Sequence, residues 1–290
     1  VTVKEVLSHV GQLKAWIPFY LFTLDSLTQK PSDSIYSTKK RKKFSLKVAD
    51  NLYMKNDYVN IMYDSIYIAD QWERIGYKYS DLPYYLFKNF IEKYYNKNLN
   101  ELTKTHFYNS IGANYTTFNP LENFLSKTII PTEQDTYYRN QLVQGYVHDM
   151  GAAMLGGIGG HAGLFSTAND VAKLMQMYMQ KGYYGGKRYF KNTTVDKFNH
   201  RYYANDSVRR GVGFDKPQLN KNEKATCDCV SESSFGHSGF TGTYTWADPE
   251  TEIVYVFLSN RVYPTMENRG LITENIRTEI QRFIQEAIID

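Results

Sequence analysis

The sequence predicts an α+β fold, with helices concentrated in its first two thirds and antiparallel strands followed by one helix at its end. Three observations carry this. Between Thr167 and Gly182, Val171, Leu174, Met175 and Tyr178 recur at i, i+3, i+4 and i+7, the spacing of one helical face. Thr243–Ala247 and Ile253–Leu258 are β-branched or aromatic runs joined by Asp248-Pro249-Glu250-Thr251, which reads as a hairpin. From Leu271 to about Ile289, Ile272, Ile276, Ile280, Phe283, Ile284 and Ala287 share one face of a closing helix. Helices then strands, without strand–helix alternation, exclude a doubly wound parallel sheet.

In chain order, Thr2 and Glu5 form a capping box for a short helix with Val3, Val6 and Leu7 apolar. An aromatic stretch, 15–24, leads into a polar and basic segment, 28–47, with Pro31, Ser32, Asp33 and Ser34. Its lack of periodicity predicts an irregular insertion loop or lid. Ser80 or Asp81 caps a helix that has Pro83 in its first turn and runs to about Tyr95. A second helix covers about 99–109 and ends near Gly112. Residues 113–150 read as irregular, and the glycine-rich 156–163 precedes the helix capped by Thr167 and Asp170. Gly211-Val212-Gly213-Phe214 suggests a short strand. Residues 1–290 are expected to form one domain, with a mostly helical lobe over 1–200 and strands plus the last helix over 201–290.

Of 290 residues, 42% are hydrophobic and 22% charged, which excludes wholesale disorder. The net charge of +4 gives no general warrant for nucleic-acid binding; it is concentrated only at Lys39–Lys43. The longest wholly apolar run, Ile253–Leu258, is far too short for a membrane span. Cys227 and Cys229 are the only cysteines. So close a pair is expected to be free or loosely paired, and no further Cys or nearby His completes a metal set.

The chemistry-bearing segments are Tyr79-Ser80-Asp81 at a helix start and His237-Ser238-Gly239-Phe240-Thr241-Gly242 before the hairpin, with the glycine-rich turn between them. In this order they resemble the serine β-lactamase, penicillin-binding-protein and esterase superfamily, in its branch with a tyrosine base and a His-x-Gly third motif. Residues 145–190 with 235–264 resemble more narrowly the serine-hydrolase domains fused behind family 3 glycoside hydrolases in Bacteroidetes. The resemblance implies a β-lactamase/transpeptidase-like fold without cofactor or metal. It implies acyl-serine chemistry on a cell-wall peptide, a β-lactam or an ester, and an extracytoplasmic location. It makes Tyr79 the phenolic acid/base, sets Asp81 where the family usually has Asn, and sets His237 where many relatives carry a cationic Lys. Ser238 then binds a substrate carboxylate or carbonyl, and the Phe240 amide beside Gly239 supplies half of an oxyanion hole. Reading Ser80-Asp81 as the Ser-Asp-Asn of another branch fails at Leu82.

The family's Ser-x-x-Lys nucleophile motif is expected before Val1, so this chain alone is expected to be inactive. The one literal match, Ser37-Thr38-Lys39-Lys40, lies in a basic tract with no apolar stripe to make the helix that stacks serine and lysine one turn apart. The glycines are not a phosphate loop, since no Lys-Ser/Thr follows. His161 is expected to be a hydrogen-bonded structural residue, and His9 and His148 to be loop or packing residues. A non-catalytic module that keeps the fold as a peptidoglycan- or partner-binding surface is the alternative.

Overall fold

The computed structural model describes residues 1–73, 76–220 and 223–288. The helices are α1 (Val3–Leu7), α2 (Tyr58–Tyr67), α3 (Leu82–Tyr95), α4 (Leu99–Thr103), α5 (Met150–Met154), α6 (Ala168–Met179), α7 (Asn192–Asn199), α8 (Gly270–Thr273) and α9 (Ile276–Glu286). The strands are β1 (Tyr36–Ser37), β2 (Phe44–Ala49), β3 (Leu52–Lys55), β4 (Pro131–Asp135), β5 (Gln141–Gln144), β6 (Tyr183–Tyr184), β7 (Lys187–Arg188), β8 (Phe235–Ser238), β9 (Tyr244–Asp248) and β10 (Ile253–Phe257). All strand pairings among them are antiparallel.

The caps form as the sequence predicts. The Thr2 hydroxyl accepts the Glu5 amide while the Glu5 carboxylate accepts the Thr2 amide, and the Thr167 hydroxyl accepts the Asp170 amide. The predicted hairpin is β9–β10, with Tyr255 opposite Trp246. β8 joins it as an edge strand in the order β10-β9-β8. Period-two alternation sends Phe235 and Ala247 to one face, where Met175 of α6 packs on them. Tyr244 and Trp246 point to the other face, covered by Ile280 and Ile284 of α9. The sheet is therefore held between two helices. Of the face read for the closing helix only Ile280 and Ile284 cover the sheet, whereas Ile272, Ile276, Phe283 and Ala287 are exposed.

A second core joins α2, α3, α5 and the sheet β1-β3-β2 around Met54, Met62, Leu82, Tyr85 and Tyr138. Here the expectation of an irregular loop over 28–47 is corrected. The segment supplies β1 and the start of β2, and Tyr36 is buried with its hydroxyl bonded to those of Thr23 and Tyr138 at 2.8 Å each. Basic residues at the turn mask the pattern, because only one side of this sheet is covered. Three smaller corrections follow. Gly211–Phe214 is a turn followed by a single bridge, Asp215 to Gly236. Residues 113–150 contain the hairpin β4–β5. The last helix is broken at Asn275, whose φ of 52° is left-handed, into α8 and α9; its predicted end at Ile289 lies outside the described residues. Cys227 and Cys229 are joined in a disulfide rather than free. The Cys227 amide is bonded to Gln281 of α9, which fixes the loop that brings the two sulfurs together.

Candidate active site

Tyr79 and His237 come together from opposite parts of the chain. Tyr79 lies three residues before α3, and its segment is strapped to the loop after α1. The Lys78 amide donates to the His9 carbonyl at 2.8 Å and the Asp81 amide to the Ala15 carbonyl at 3.0 Å. The Ser80 amide donates to His9 Nδ1 at 3.2 Å and the Ser80 hydroxyl to the Lys14 carbonyl at 2.6 Å. Of the two predicted caps for α3, Ser80 acts, its oxygen accepting the Leu82 amide, while the Asp81 carboxylate makes no capping bond. The His9 ring lies 4.4 Å from the Tyr79 ring and is buried.

On the other side, His237 extends from β8 so that its ring lies 6.2 Å from that of Tyr79. Arg210 sits between the two halves. Its guanidinium lies 5.0 Å from the centre of the Tyr79 ring, and it donates to His237 Nε2 at 2.7 Å and to the Tyr77 hydroxyl at 3.1 Å. An arginine can only donate, so Nε2 accepts; the histidine proton is therefore on Nδ1, which faces the Ser238 carbonyl at 2.8 Å. Burial, then the Arg210 charge, pushes the His237 pKa down to about 4. The imidazole is neutral at pH 7, and Arg210 is the cation beside the predicted position. Burial would raise the Asp215 carboxyl, but Arg210 and Arg209 outweigh it and hold it below the usual range. Arg209 forks onto Asp215 at 2.8 and 3.0 Å.

Burial, and after it the Asp81 charge, raises the Tyr79 phenol well above 10, with Arg210 opposing. Burial also raises the Asp81 carboxyl. A phenol so placed is a proton donor at neutral pH and becomes a base only when further positive charge arrives.

The third motif divides between two faces. His237 points toward Tyr79, whereas Ser238, one residue on, lines a cavity of about 260 Å³ on the α9 side of β8, with Arg209, Lys224, Tyr244, Trp246 and Arg277. At Gly239 an added Cβ would stand 2.2 Å from the Thr243 hydroxyl, so a larger residue there requires Thr243 to change rotamer. The Phe240 amide has no partner among the described residues, although its carbonyl accepts from Arg261 at 2.8 Å and its exposed ring stacks on His148 at 5.4 Å. His161 is the structural histidine expected: it bonds Asp149 at 2.8 Å and stacks on Tyr85 at 4.2 Å. The glycine-rich turn runs against α3, where a Cβ on Gly160 would meet the Tyr84 carbonyl at 2.3 Å.

Ser37 is on β1, with its hydroxyl donating to the Lys39 carbonyl at 2.8 Å, so the Ser-x-x-Lys match has no helical geometry. The residues that sequence reasoning missed are Arg210 and His9. The doublet Arg209-Arg210 before Gly211, with Asp215 just beyond, was the available signal for the first; His9 carried none. Among the described residues no cluster of His, Cys, Asp or Glu could hold a metal, and no helix is long and apolar enough to cross a membrane.

An α+β sheet between two helices, with a tyrosine segment facing a His-Ser-Gly edge strand, is the arrangement of a domain of the serine β-lactamase type. The beta-lactamase family matches residues 1–277, and the chain belongs to that family. A Salmonella typhi protein named as a D-alanyl-D-alanine carboxypeptidase is 33% identical over 205 residues, covering 66% of this chain and 46% of its own length. The chain thus spans about half the length of the curated relatives it matches. Among solved structures, D-amino acid amidase from Ochrobactrum anthropi SV3 superposes with a TM-score of 0.58 at 13% identity, over 99% of this chain and 74% of that one. A penicillin-binding protein homologue from Caulobacter crescentus gives 0.53 at 13%, over 90% and 65%.

Proposed function

We propose that this chain supplies the acid/base and oxyanion side of a serine acyl-transfer site that cleaves a cell-wall peptide, a β-lactam or an ester outside the cytoplasm. One observation carries the reading: Tyr79 and His237 face each other at 6.2 Å, bridged by Arg210. Tyr79 shuttles the proton between nucleophile and leaving group, the free Phe240 amide receives the oxyanion, and Arg210 with neutral His237 holds the phenol in place. The D-alanyl-D-alanine carboxypeptidase name of the relatives favours a peptide substrate. The resemblance to domains behind glycoside hydrolases favours a setting in cell-wall recycling, with such a domain as neighbour.

The serine and its lysine come from outside residues 1–290 in this reading, because Ser37 lies on a strand. That lysine is also the positive charge the raised phenol requires. The test is labelling with a fluorescent penicillin or fluorophosphonate. A longer form carrying Ser-x-x-Lys should label and this chain should not; labelling of this chain at Ser37 would overturn the reading. A second reading, a non-catalytic binding module, is favoured by Asp81, whose charge works against deprotonation of Tyr79. Failure of the longer form to label, with retained binding of peptidoglycan fragments, would select it.

A further inference from the structure

We propose that the turn carrying Lys39, Lys40, Arg41, Lys42 and Lys43 is a docking surface for an anionic phospholipid bilayer. Five consecutive cations join β1 to β2, and all five are exposed. Among the described residues none has a carboxylate within ion-pairing distance. By contrast, Lys47 and Lys55 of the same sheet are matched to Asp50 and Asp57 at 3.5 and 3.4 Å. The five charges exceed the net +4 of the entire chain, so the other residues together sum to −1 and the turn is the densest run of positive charge in the sequence.

The turn is built rather than loose. Arg41 and Phe44 exchange backbone hydrogen bonds at 3.0 and 2.9 Å, leaving Lys42 and Lys43 at the tip. Asn56 holds the base of the turn from β3's side, its amide nitrogen donating to the Lys43 carbonyl and its side chain to the Lys42 carbonyl. Ser37 accepts the Lys39 amide and donates to the Lys39 carbonyl. A fixed backbone carrying exposed cationic side chains sacrifices little conformational freedom on binding beyond the side chains themselves.

A linear polyanion is gripped by cations lining a groove, whereas five exposed cations gathered on one tight turn, with Lys42 and Lys43 between the bonded Arg41 and Phe44, match a plane of phosphate headgroups. Like charges so concentrated repel each other, and the hydrolase site makes no use of them.

The experiment is co-sedimentation of the protein with sucrose-loaded phosphatidylcholine vesicles, with and without about 30 mol % phosphatidylglycerol. The variants are a triple glutamine form (Lys39→Gln, Lys40→Gln, Lys42→Gln) and the matching triple arginine form. The wild type should pellet only with the anionic vesicles and be released at about 0.5 M salt, where screening is strong. The glutamine form should lose roughly tenfold or more in partitioning and the arginine form should not. Circular dichroism should show all three equally folded, since the substituted side chains are exposed. Equal binding by the glutamine form, or no binding by the wild type, would overturn the proposal. So would retention on immobilised polyphosphate without any on vesicles, which would assign the turn to a soluble phosphate polymer.

Discussion

Replacing Arg210 by methionine removes the cation that bridges Tyr79 and His237 while keeping an unbranched apolar stem. Burial and Arg210 together hold the His237 pKa at about 4. A unit charge about 4 Å away is worth about 1 kcal/mol in water and about 4 kcal/mol at an effective dielectric of about 20. About 1.4 kcal/mol displaces a pKa by one. Burial, the larger cause, remains in the variant, so His237 should titrate between about 5 and 6, and His9, which Arg210 also depresses, should move the same way. In the wild type the folded value lies below the ordinary 6.5. The unfolded chain therefore binds more protons between the two, and stability falls as the pH drops from 6.5 toward 4. That window is worth about 3 kcal/mol for His237 and should shrink to about half in Arg210→Met. At neutral pH the variant should lose about 2–3 kcal/mol, the donors to Tyr77 and His237. The larger cost of a stranded buried carboxylate, about 3–5 kcal/mol, is avoided because Arg209 keeps its fork on Asp215. Imidazole proton NMR across the pH range gives the pKa, and urea unfolding at neutral and acid pH gives the stability. A His237 pKa still near 4 in the variant would show that burial alone sets it, and the electrostatic reasoning would be wrong.

Four further outcomes are expected. Tyr79→Phe should cost less than about 1 kcal/mol in urea unfolding, since the ring keeps its packing on His9, yet lower the acylation rate of a form carrying the serine by about 10²–10⁴ in stopped-flow labelling. Asp81→Asn should lower the Tyr79 phenol pKa in ultraviolet titration and stabilise the protein above the carboxyl's ordinary range, because burial disfavours the charged Asp81. Gly160→Ala should destabilise by about 1–3 kcal/mol in thermal unfolding, as its methyl would press on the Tyr84 carbonyl. Reducing the disulfide should cost only about 1.6 kcal/mol, a shift in midpoint of about 2–4 °C by calorimetry, because Cys227 and Cys229 close so small a loop.

What the sequence made legible was what local pattern controls. The capping box at Thr2 and Glu5, the Thr167 cap and the Asp248–Thr251 turn are short-range interactions, and each stands where it was expected. The β1-β3-β2 sheet was hidden because its burial is decided by distant partners: Tyr36 is covered by Tyr138, 102 residues away. The same holds for the site. Tyr79 and His237 could be singled out as motif residues. Arg210 becomes visible only when residues 27 positions apart share a hydrogen bond, and no periodicity encodes that. The cysteine pair was misjudged for the same reason, since the anchor of its loop is Gln281 on a helix 54 residues further on.

The strap between residues 9–15 and 78–81 has a kinetic consequence. The amides of Lys78, Ser80 and Asp81 all terminate on acceptors in that early loop rather than within α3. They should therefore exchange with deuterium as one cooperative unit, at a rate set by the opening of the 9–15 loop and independent of fraying in α3. The residence time of the phenol in its working position is then governed by a loop distant from it in sequence. Ligands or neighbours that touch residues 9–15 would retime the tyrosine without ever approaching it.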